Sequence, residues 1–394
     1  MASKFFTFLR ICVAWCVYGL SFCVPRNPQL WVFYGWHQSP GKEHFADNCK
    51  YFFLYASTHG PKAGIEAVWL SPDAELVAAL RARGYRAHLQ DSLRGKGTAL
   101  RAGYTVIDAQ MRLTAWQYLG RSKVIQLWHG VPTKKIMFQT PIRLPSPLLS
   151  PNWWVRPYRY ISTSPWYTRV TAEAFRHSPD TFVTTGYPRN DRLFGAVEDS
   201  DLGAAELPVW VKSHAGKVFL YAPTFRPDGS NPLHQLDLPR LFAFLKESDS
   251  LMCISLHPKL SKHAPAWREQ FSERIHFIGG GSDVYPILNR FDACITDYSS
   301  TATDFLLTGK RVFYYQYDFE QYAGSTGFQD NAEELLPGPR LKSFEELLEA
   351  LKDFIGGSDH YTEARERALQ KAFAQRDGKS SERLFTFLLE DMRQ

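Results

Sequence analysis

Residues 292–307 read DACITDYSSTATDFLL, an apolar strand that passes through a hydroxyl-rich turn into a helix. The first backbone N–H groups of a helix have no partner within the helix and lie at the positive end of its dipole. Such groups bind anions, and Ser299 and Ser300 add side-chain donors to the same turn. The segment therefore predicts a phosphate-binding unit of an α/β fold. Serine is also an ordinary helix cap, so the turn alone leaves a purely structural role open.

Two histidines follow strands of the same kind in separate halves of the chain. His129 comes directly after the apolar run VIQLW, and His257 directly after LMCISL. A third strand, KVFLY, leads within a few residues to Arg226. In open α/β sheets, ligands bind outside the carboxyl ends of the strands, so these side chains are predicted to face one cleft. The alternative for each histidine is packing or capping at a strand end.

Several short motifs are spread over most of the chain. In order they are residues 45–48 (FADN), 126–135 (QLWHGVPTKK), 186–191 (GYPRND), 221–226 (YAPTFR), 256–258 (LHP), 296–304 (TDYSSTATD) and 336–339 (LPGP). Together they resemble the CDP-glycerol glycerophosphotransferase family, which contains the teichoic acid primases and polymerases and related capsule polymerases. Val131 and Phe225 stand where the family often has threonine and tryptophan, and neither departure changes a charged group.

The resemblance implies a fold and an activity. The fold is α/β of the GT-B type, in which two Rossmann-like, doubly wound domains face a central cleft. The N-terminal hydrophobic anchor helix that we add to it is inferred from the apolar run of this sequence. The activity is transfer of glycerol phosphate from CDP-glycerol to a hydroxyl of a membrane-linked saccharide or growing polyol-phosphate polymer, releasing CMP for wall teichoic acid or capsule synthesis. The expected location is the cytoplasmic face of the cell membrane. Three alternatives stay open: a ribitol-phosphate transferase, a glycosyltransferase that uses a nucleotide sugar, and a non-catalytic membrane scaffold.

A mechanism can be proposed for the residues of these motifs from their chemistry. Donor phosphate or nucleotide binding falls to Thr224, Arg226, Asp297, Ser299, Ser300 and Thr301. The acceptor side falls to Asp47, Asn48, Lys134, Lys135, Asn190 and Asp191. His129 and His257 are the catalytic candidates. We expect His129 to take the acceptor proton, because imidazole titrates near neutral pH and neighbouring lysines lower its pKa.

Some of these carboxylates have a simpler alternative. Asp297 is expected to orient a donor group or to cap a helix, and Asp304 to have a structural or indirect role. Asp47 and Asn48 stand at a helix start, where they either bind acceptor or cap the helix. No acidic cluster with metal-ligand spacing accompanies the motifs, so no cofactor is predicted. Mg²⁺ held mainly by substrate phosphates leaves little trace in a sequence and stays open.

Length and charge set the domain organisation and the partners. The 394 residues exceed the roughly 250 to 300 that one core usually serves, so two domains are expected. We predict a membrane-associating segment at 1–26, an acceptor-side domain at 27–200 and a donor-binding domain at 201–394. The net charge of +6 favours anionic partners. No basic tract is long enough to indicate nucleic acid binding.

The N-terminal apolar run, residues 11–24, lies between Arg10 and Arg26. As a helix it would span about 21 Å, short of the roughly 30 Å hydrocarbon core of a bilayer. We therefore predict an interfacial or re-entrant anchor, with a buried first helix as the alternative. The six cysteines form no Cys-x-x-Cys pair and lie mostly in apolar runs. That pattern indicates small buried side chains in a reducing cytosolic setting.

Overall fold

The computed structural model describes residues 2–39, 41–111, 114–140, 151–224, 226, 229–256 and 269–394. In these residues the chain forms an α/β fold with two parallel sheets, as predicted. The strands are β1 (Asn27–Tyr34), β2 (Trp36–Ser39), β3 (Lys42–His44), β4 (Glu66–Ser71), β5 (Ala87–Leu89), β6 (Ala102–Ile107), β7 (Lys123–Gln126), β8 (Arg159–Ser162), β9 (Phe182–Thr184), β10 (Val218–Tyr221), β11 (Leu251–Ser255), β12 (Ile275–Ile278), β13 (Ala293–Thr296), β14 (Arg311–Tyr315) and β15 (Arg340–Leu341).

Helices connect the strands. They are α1 (Ala2–Ser21), α2 (Asp47–His59), α3 (Ala74–Ala82), α4 (Leu93–Arg101), α5 (Pro151–Trp154), α6 (Pro165–Phe175), α7 (Asp191–Phe194), α8 (Val209–Lys212), α9 (Leu238–Glu247), α10 (Thr301–Phe305), α11 (Phe319–Thr326), α12 (Phe344–Ile355), α13 (Thr362–Ala372) and α14 (Ser380–Asp391). Several begin at a capping side chain. Asp73 accepts hydrogen bonds from the second and third N–H groups of α3, and Ser343 accepts one from the third N–H group of α12.

Both sheets are doubly wound. The first has the strand order β5-β4-β1-β6-β7-β8-β9, and the second has the order β12-β11-β10-β13-β14-β15. All neighbouring strands in the two sheets run parallel, whereas β2 and β3 form a separate antiparallel hairpin. The strand order reverses between β1 and β6 in one sheet and between β10 and β13 in the other. These reversals create the crevices in which α/β proteins bind ligands.

The strands are apolar because both faces of each sheet are covered by helices. Every residue of β6, β10 and β13 is buried. Cys253 in β11 and Cys294 in β13 are fully buried, as expected for small apolar side chains. Continuous apolar runs of this kind are typical of parallel sheets, whose faces do not meet water.

The two halves of the chain are tied together by buried contacts. The Lys50 ammonium forms an ion pair of 2.8 Å with Asp283, and both side chains are fully buried. The last helix, α14, returns to the first sheet, where the Phe385 ring lies 5.4 Å from that of Trp31. The Tyr104 hydroxyl also donates to Asp391 of α14, over 2.6 Å. The predicted domain boundary after residue 200 stays a prediction, and α14 packs across it.

One side of helix α1 packs on the short turn of residues 116–118, which lies between β6 and β7 in the chain. Trp15 and Tyr18 pack on Trp116, with ring centroids 4.6 and 5.9 Å apart. Arg26 fixes the end of the helix by donating to the Ser21 carbonyl over 2.9 Å. Among the described residues, no helix combines the length and the apolar character needed to cross a bilayer. The hydrophobic anchor expected at the N-terminus is not shown by this fold and stays a prediction.

Candidate active site

Polar residues of the candidate site, some predicted and some not, follow the carboxyl ends of strands in both sheets. In the first sheet, Asp108 comes after β6, His129 after β7 and Arg189 after β9. In the second, Thr224 and Arg226 come after β10, Asp297 after β13 and Asp318 after β14. The two edges therefore present their polar side chains toward each other, next to the points where the strand order reverses.

The backbone around His129 is held on both sides. Trp128 has a φ of +55°, an unfavourable conformation for a bulky residue, and its N–H donates to the Gln126 side chain over 2.9 Å. Its carbonyl accepts from the Asn48 amide over 2.8 Å. The His129 carbonyl accepts from the Arg189 guanidinium over 2.9 Å. Strain of this kind persists only where surrounding contacts impose it, so these contacts fix the position of His129.

The imidazole of His129 is held in one tautomer. Its Nδ1 lies 2.8 Å from the Asp108 carbonyl, which can only accept, so Nδ1 carries the hydrogen and Nε2 the lone pair. The Trp36 ring packs against it at 4.5 Å. Burial lowers the pKa of His129, and Arg189 and Lys134 lower it further, against the opposing effect of Asp47. A neutral imidazole with a free lone pair on Nε2 can act as a general base.

His129 is brought to the second half of the chain by its neighbour. A Cβ atom added to Gly130 would lie 2.5 Å from Ser300 Cβ and closer still to its hydroxyl oxygen. Only glycine fits this approach, because real Cβ contacts are longer. The loop that follows β7 therefore packs directly on the hydroxyl-rich turn before α10, which joins the predicted base to the predicted phosphate turn.

The helix that follows the phosphate turn is shorter than the sequence suggested. Helix α10 has five residues and is followed by a 3₁₀ turn. The Thr301 N–H donates to Ser299 Oγ over 3.3 Å, and Ser300 makes no capping hydrogen bond. Because dipole effects concentrate in the first turn, the N–H groups and hydroxyls of residues 299–301 remain the anion-binding feature, rather than a long helix.

Asp297 joins two strand ends across the crevice. Its carboxylate accepts from the Thr224 N–H at 2.9 and 3.0 Å and from Arg226 at 2.7 Å. These contacts position the loop after β10, and the expected role of Asp297 in orienting a donor group or capping a helix stays a prediction. The Thr224 hydroxyl is buried without a hydrogen-bond partner among the described residues. Since buried hydroxyls are normally paired, Thr224 is suited to a ligand oxygen.

The Arg226 guanidinium forms ion pairs with two carboxylates. It forms a two-pronged ion pair with Asp318, at 2.6 and 3.0 Å, in addition to its bond with Asp297. Burial alone would lower its pKa, but Asp318 and Asp297 raise it above the ordinary value. The guanidinium charge is thus largely balanced by protein carboxylates. Its first function in this geometry is to hold the loops after β10, β13 and β14 together.

Lys134 reaches from the first half toward this cluster. Its Nζ lies 5.9 Å from the centre of the Tyr322 ring. Burial lowers its pKa, Asp297 raises it, and Arg226 lowers it, which places all three charges in one neighbourhood. Lys135 is exposed, and its backbone N–H donates to the Gly327 carbonyl over 3.1 Å. The structure therefore brings Lys134 to the donor-side cluster, although the motif assigned it to the acceptor side.

Arg189 links the predicted acceptor side to α10. It donates to Asp47 over 2.6 Å and to Asp304, and both Arg189 and Asp304 are buried. Burial would lower its pKa, but the two carboxylates raise it well above the ordinary value. Asp304 also accepts from the Tyr285 hydroxyl over 2.6 Å and from Asn190 over 3.2 Å. Asp304 therefore has a structural role.

The remaining acceptor-side candidates are engaged by the protein. The Asn48 amide bonds the Trp128 carbonyl through its nitrogen and accepts from the Arg189 N–H over 3.2 Å. Asp191 accepts from the N–H groups of Ser380 and Ser381, both at 2.8 Å, and so caps α14. Asn48 and Asp191 therefore each have a structural role. Acceptor binding by this group stays a prediction.

One catalytic candidate cannot be placed. His257 lies outside the described residues, and its role stays a prediction. Within the described residues, no group of three or more His, Cys, Asp and Glu side chains is arranged to hold a metal ion. The absence of a cofactor likewise stays a prediction.

Sequence reasoning missed several residues of the cluster. Arg189 stands inside a quoted motif, GYPRND, and a buried arginine between two carboxylates was not expected from it. Asp108 and Asp318 could have been found from the sequence, since Asp108 directly follows β6 and Asp318 lies three residues after β14. Tyr322 lies inside α11 and had no such signal. Trp36 lies in the β2 strand of the hairpin, which was not predicted.

Comparisons with known proteins agree with this geometry. A family model described as CDP-glycerol:poly(glycerophosphate) glycerophosphotransferase matches residues 17–390. A teichoic acid glycerol-phosphate transferase of Staphylococcus aureus (strain NCTC 8325 / PS 47) is 27% identical over 91% of this chain and 92% of its own length. The ribitol-phosphate polymerase TarK of the same organism is 31% identical over 66% of this chain. This chain's match spans only about half the length of TarK, 51%.

Solved structures extend the comparison to the fold. The structure of the wall teichoic acid polymerase TagF matches with a TM-score of 0.74 and 22% sequence identity. The match covers 100% of this chain and 98% of the TagF chain. At that identity the likeness concerns the fold alone, with two parallel sheets of the GT-B-like kind.

Proposed function

Because the chain belongs to the CDP-glycerol:poly(glycerophosphate) glycerophosphotransferase family, we propose that it transfers glycerol phosphate from CDP-glycerol to an acceptor hydroxyl and releases CMP. The acceptor is a membrane-linked saccharide or a growing polyol-phosphate polymer of wall teichoic acid or capsule synthesis. In this proposal the two halves form a GT-B type cleft, with the acceptor near the first sheet and the donor near the second. The main structural support for this proposal is the packing of Gly130, which is next to His129, on Ser300 of the phosphate turn.

In the proposed reaction His129 is the general base. Its Nε2 takes the proton of the acceptor hydroxyl as the oxygen attacks the phosphorus that bears glycerol. The bond from that phosphorus to the bridging oxygen breaks, and CMP leaves with that oxygen. Phosphoryl transfer asks the protein mainly for alignment and for charge stabilisation. The fixed backbone and single tautomer of His129 provide the alignment.

The donor phosphates are proposed to lie on residues 299–301 and the Thr224 hydroxyl. These groups offer backbone N–H and hydroxyl donors that do not need to reorganise when charge develops. Lys134 is proposed to contact the same phosphates, because its ammonium lies in the neighbourhood of Asp297 and Arg226. Arg226 then acts by holding the loops rather than as a free cation, and His257 is retained as a second catalytic candidate.

Turnover of defined donors tests the proposal. Purified protein is incubated with CDP-glycerol and a synthetic lipid-linked saccharide, and CMP release is followed together with the mass of the acceptor. A mass gain of one glycerol phosphate indicates a primase, and a ladder indicates a polymerase. His129→Ala should abolish CMP release while donor binding is kept. If His129→Ala turned over at the wild-type rate, His129 would not be the general base of the reaction.

A ribitol donor is the second candidate, because TarK and TarL, both ribitol-phosphate polymerases, are 31% and 30% identical to this chain. The same assay with CDP-ribitol and a UDP-sugar separates the donors. CMP release from CDP-ribitol alone would reassign the donor and keep the cleft. Activity only with the UDP-sugar would indicate a glycosyltransferase and contradict the assignment of a CDP-polyol donor.

We also propose that the protein associates peripherally with the cytoplasmic face of the membrane through α1. The side of this helix that does not pack on Trp116 exposes apolar residues. Leu9, Val13 and Leu20 are exposed by 48%, 54% and 69%. Their spacing of four and seven residues places them on one stripe of the helix. Arg10 beside the stripe suits anionic headgroups.

A further inference from the structure

The indole ring of Trp36 packs against the candidate base, and the reaction described above does not use it. Its centroid lies 4.5 Å from that of the His129 ring, with an angle of 62° between the planes. A second indole, that of Trp128, stacks on the same imidazole at 4.1 Å. Trp128 is buried, whereas Trp36 is only half-buried. Of the two rings, Trp36 is therefore the one that has surface left for a ligand.

The hairpin that carries Trp36 has a fixed position. Glu43 of β3 accepts hydrogen bonds from the Gly35 N–H over 3.0 Å and from the Trp69 indole N–H over 3.1 Å. A Cβ atom added to Gly35 would overlap the same carboxylate, so the backbone next to Trp36 is closely packed. A tryptophan held in this way offers a ligand a large, rigid contact area at a low cost in conformational entropy.

The same hairpin reaches the second half of the chain. Trp36 is paired with His44 in the register of β2 and β3. His44 Nδ1 donates to the carbonyl of Gly281, which lies just after β12. Trp36 is thus one strand spacing, about 5 Å, from a residue that touches the second half. It also follows β1, beside the point where the strand order of the first sheet reverses, and so it lies at the cleft.

The position of Trp36 suits contact with the acceptor rather than with the donor. The donor phosphates are proposed to lie on groups of the second half, at residues 299–301 and Thr224. The acceptor hydroxyl must instead approach His129 Nε2, because Nδ1 is occupied by the Asp108 carbonyl. A ring that packs on this imidazole is therefore placed to contact the part of the acceptor that carries the hydroxyl.

The charges around the imidazole favour an uncharged acceptor residue. The charged groups that shift the His129 pKa are Asp47, Arg189 and Lys134. Arg189 is already paired with Asp47 and Asp304, and Lys134 is proposed to contact the donor. A polymer end carries a phosphate only one glycerol away from its hydroxyl. Among these three groups, that phosphate would find no cation that is not already engaged.

An indole face also distinguishes ligands by their shape. A pyranose ring presents a rigid face of C–H groups, and its torsions are fixed before it binds. An open polyol chain must give up several torsional freedoms to make a contact of the same area. The indole therefore favours a sugar ring.

We propose that Trp36 is an acceptor-binding residue, which packs on the sugar ring of a saccharide acceptor and makes this acceptor preferred over a polyol-phosphate chain end. The inference rests on the proposed function, because it takes His129 as the base that meets the acceptor hydroxyl.

Two water-soluble acceptors with the same alkyl chain test the proposal, one ending in a disaccharide and the other in glycerol phosphate. With CDP-glycerol as donor, kcat and KM are measured for each acceptor. Trp36→Leu should lower kcat/KM for the disaccharide roughly 10- to 100-fold, chiefly through KM, which is the range typical of one stacking aromatic side chain. The glycerol phosphate acceptor should lose much less, and the KM for CDP-glycerol should not change.

Two further variants make the result specific. Trp36→Phe keeps an aromatic face and should retain most of the activity with the disaccharide, which separates stacking from a failure to fold. Trp210→Leu, on α8 against His276 of the edge strand β12, is the matched control and should change neither acceptor. Equal losses for both acceptors in Trp36→Leu would mean that the indole only packs on the base. That result would overturn the proposal, as would an unchanged KM for the disaccharide.

Calorimetry without a donor keeps this proposal apart from the donor assignment. The disaccharide acceptor is titrated into the wild-type protein and into Trp36→Leu in the absence of CDP-glycerol. A higher Kd in Trp36→Leu would support the acceptor contact even if CDP-glycerol proves not to be the donor. Equal Kd values would overturn the contact even if CDP-glycerol is turned over.

Discussion

At the level of single residues, the His129 imidazole starts the proposed reaction neutral. Burial and the cations Arg189 and Lys134 lower its pKa, whereas Asp47 and the bond to the Asp108 carbonyl raise it. Because Nδ1 is occupied by that carbonyl, the proton must be accepted at Nε2. The charge environment and the tautomer therefore favour the same role, general base catalysis.

The pH dependence of turnover should follow from this environment. Only the neutral imidazole accepts a proton, so kcat/KM should fall as the pH drops through a His129 pKa below the ordinary value of about 6.5. Lys134→Gln removes a cation that lowers this pKa, so the acid limb should move to higher pH. Asp47→Asn removes a carboxylate that raises it, so the limb should move to lower pH. Profiles of kcat/KM against pH measure both shifts.

The position of the acid limb distinguishes this effect from a general loss of activity. His360→Gln changes an exposed histidine and should leave the limb in place. Two limbs that stay in place, or that move in the same direction, would argue against His129 as the group that titrates.

Gly130 should tolerate no side chain. In Gly130→Ala the new Cβ would overlap Ser300, so the loop that carries His129 must move away from the phosphate turn. Misplacement by about 1 Å costs roughly 100-fold in rate, and we expect a loss of that order in kcat/KM. Gly97→Ala is the control, because a Cβ added there meets nothing within 4 Å. Full activity of Gly130→Ala would show that the approach to Ser300 is not needed.

At the level of elements, apolar runs predicted buried parallel strands. The runs KVFLY and LMCISL form Val218–Tyr221 and Leu251–Ser255, because a parallel strand buried on both faces needs a continuous apolar run. Helix α10 shows the limit of such patterns. Its first turn was predicted, but it ends after five residues, and the 3₁₀ turn that follows closes at Gly309 with a φ of +75°. A glycine near a helix end was the available signal.

Helix α1 should bind anionic bilayers through its exposed stripe. A variant with Leu9, Val13 and Leu20 all changed to Ser should lose cosedimentation with phosphatidylglycerol vesicles, since each buried leucine or valine side chain contributes about 1.5 to 3 kcal/mol. Turnover of a water-soluble acceptor should be retained. Leu93→Ser, at a leucine that is 91% exposed on α4, is the control and should leave cosedimentation unchanged. Undiminished vesicle binding by the triple variant would show that the membrane contact lies elsewhere.

At the level of the whole molecule, the strand ends could be predicted but their pairings could not. The positions of His129 and Arg226 after strand ends were predicted, because they depend only on the local order of residues along the chain. The partners of Arg226 are separated from it by 71 residues for Asp297 and 92 for Asp318. A charge that looks free in the sequence is therefore neutralised in the fold by residues of other strands. Electrostatic roles of this kind depend on tertiary pairing, which single-chain patterns do not contain.

The Lys50–Asp283 ion pair is another pairing that the sequence does not reveal, because its members are 233 residues apart. It joins the two halves, so its loss should lower the free energy of unfolding. Lys50→Met should destabilise the protein by about 3 to 5 kcal/mol, since it leaves a buried carboxylate without its cation. Lys50→Met combined with Asp283→Leu should cost less than the sum of the two single variants, because no unpaired charge then remains. Urea unfolding followed by circular dichroism measures these free energies, with Lys62→Met on the exposed turn after α2 as the control. Additive costs would mean that the two charges are not coupled, and that other contacts hold the halves together.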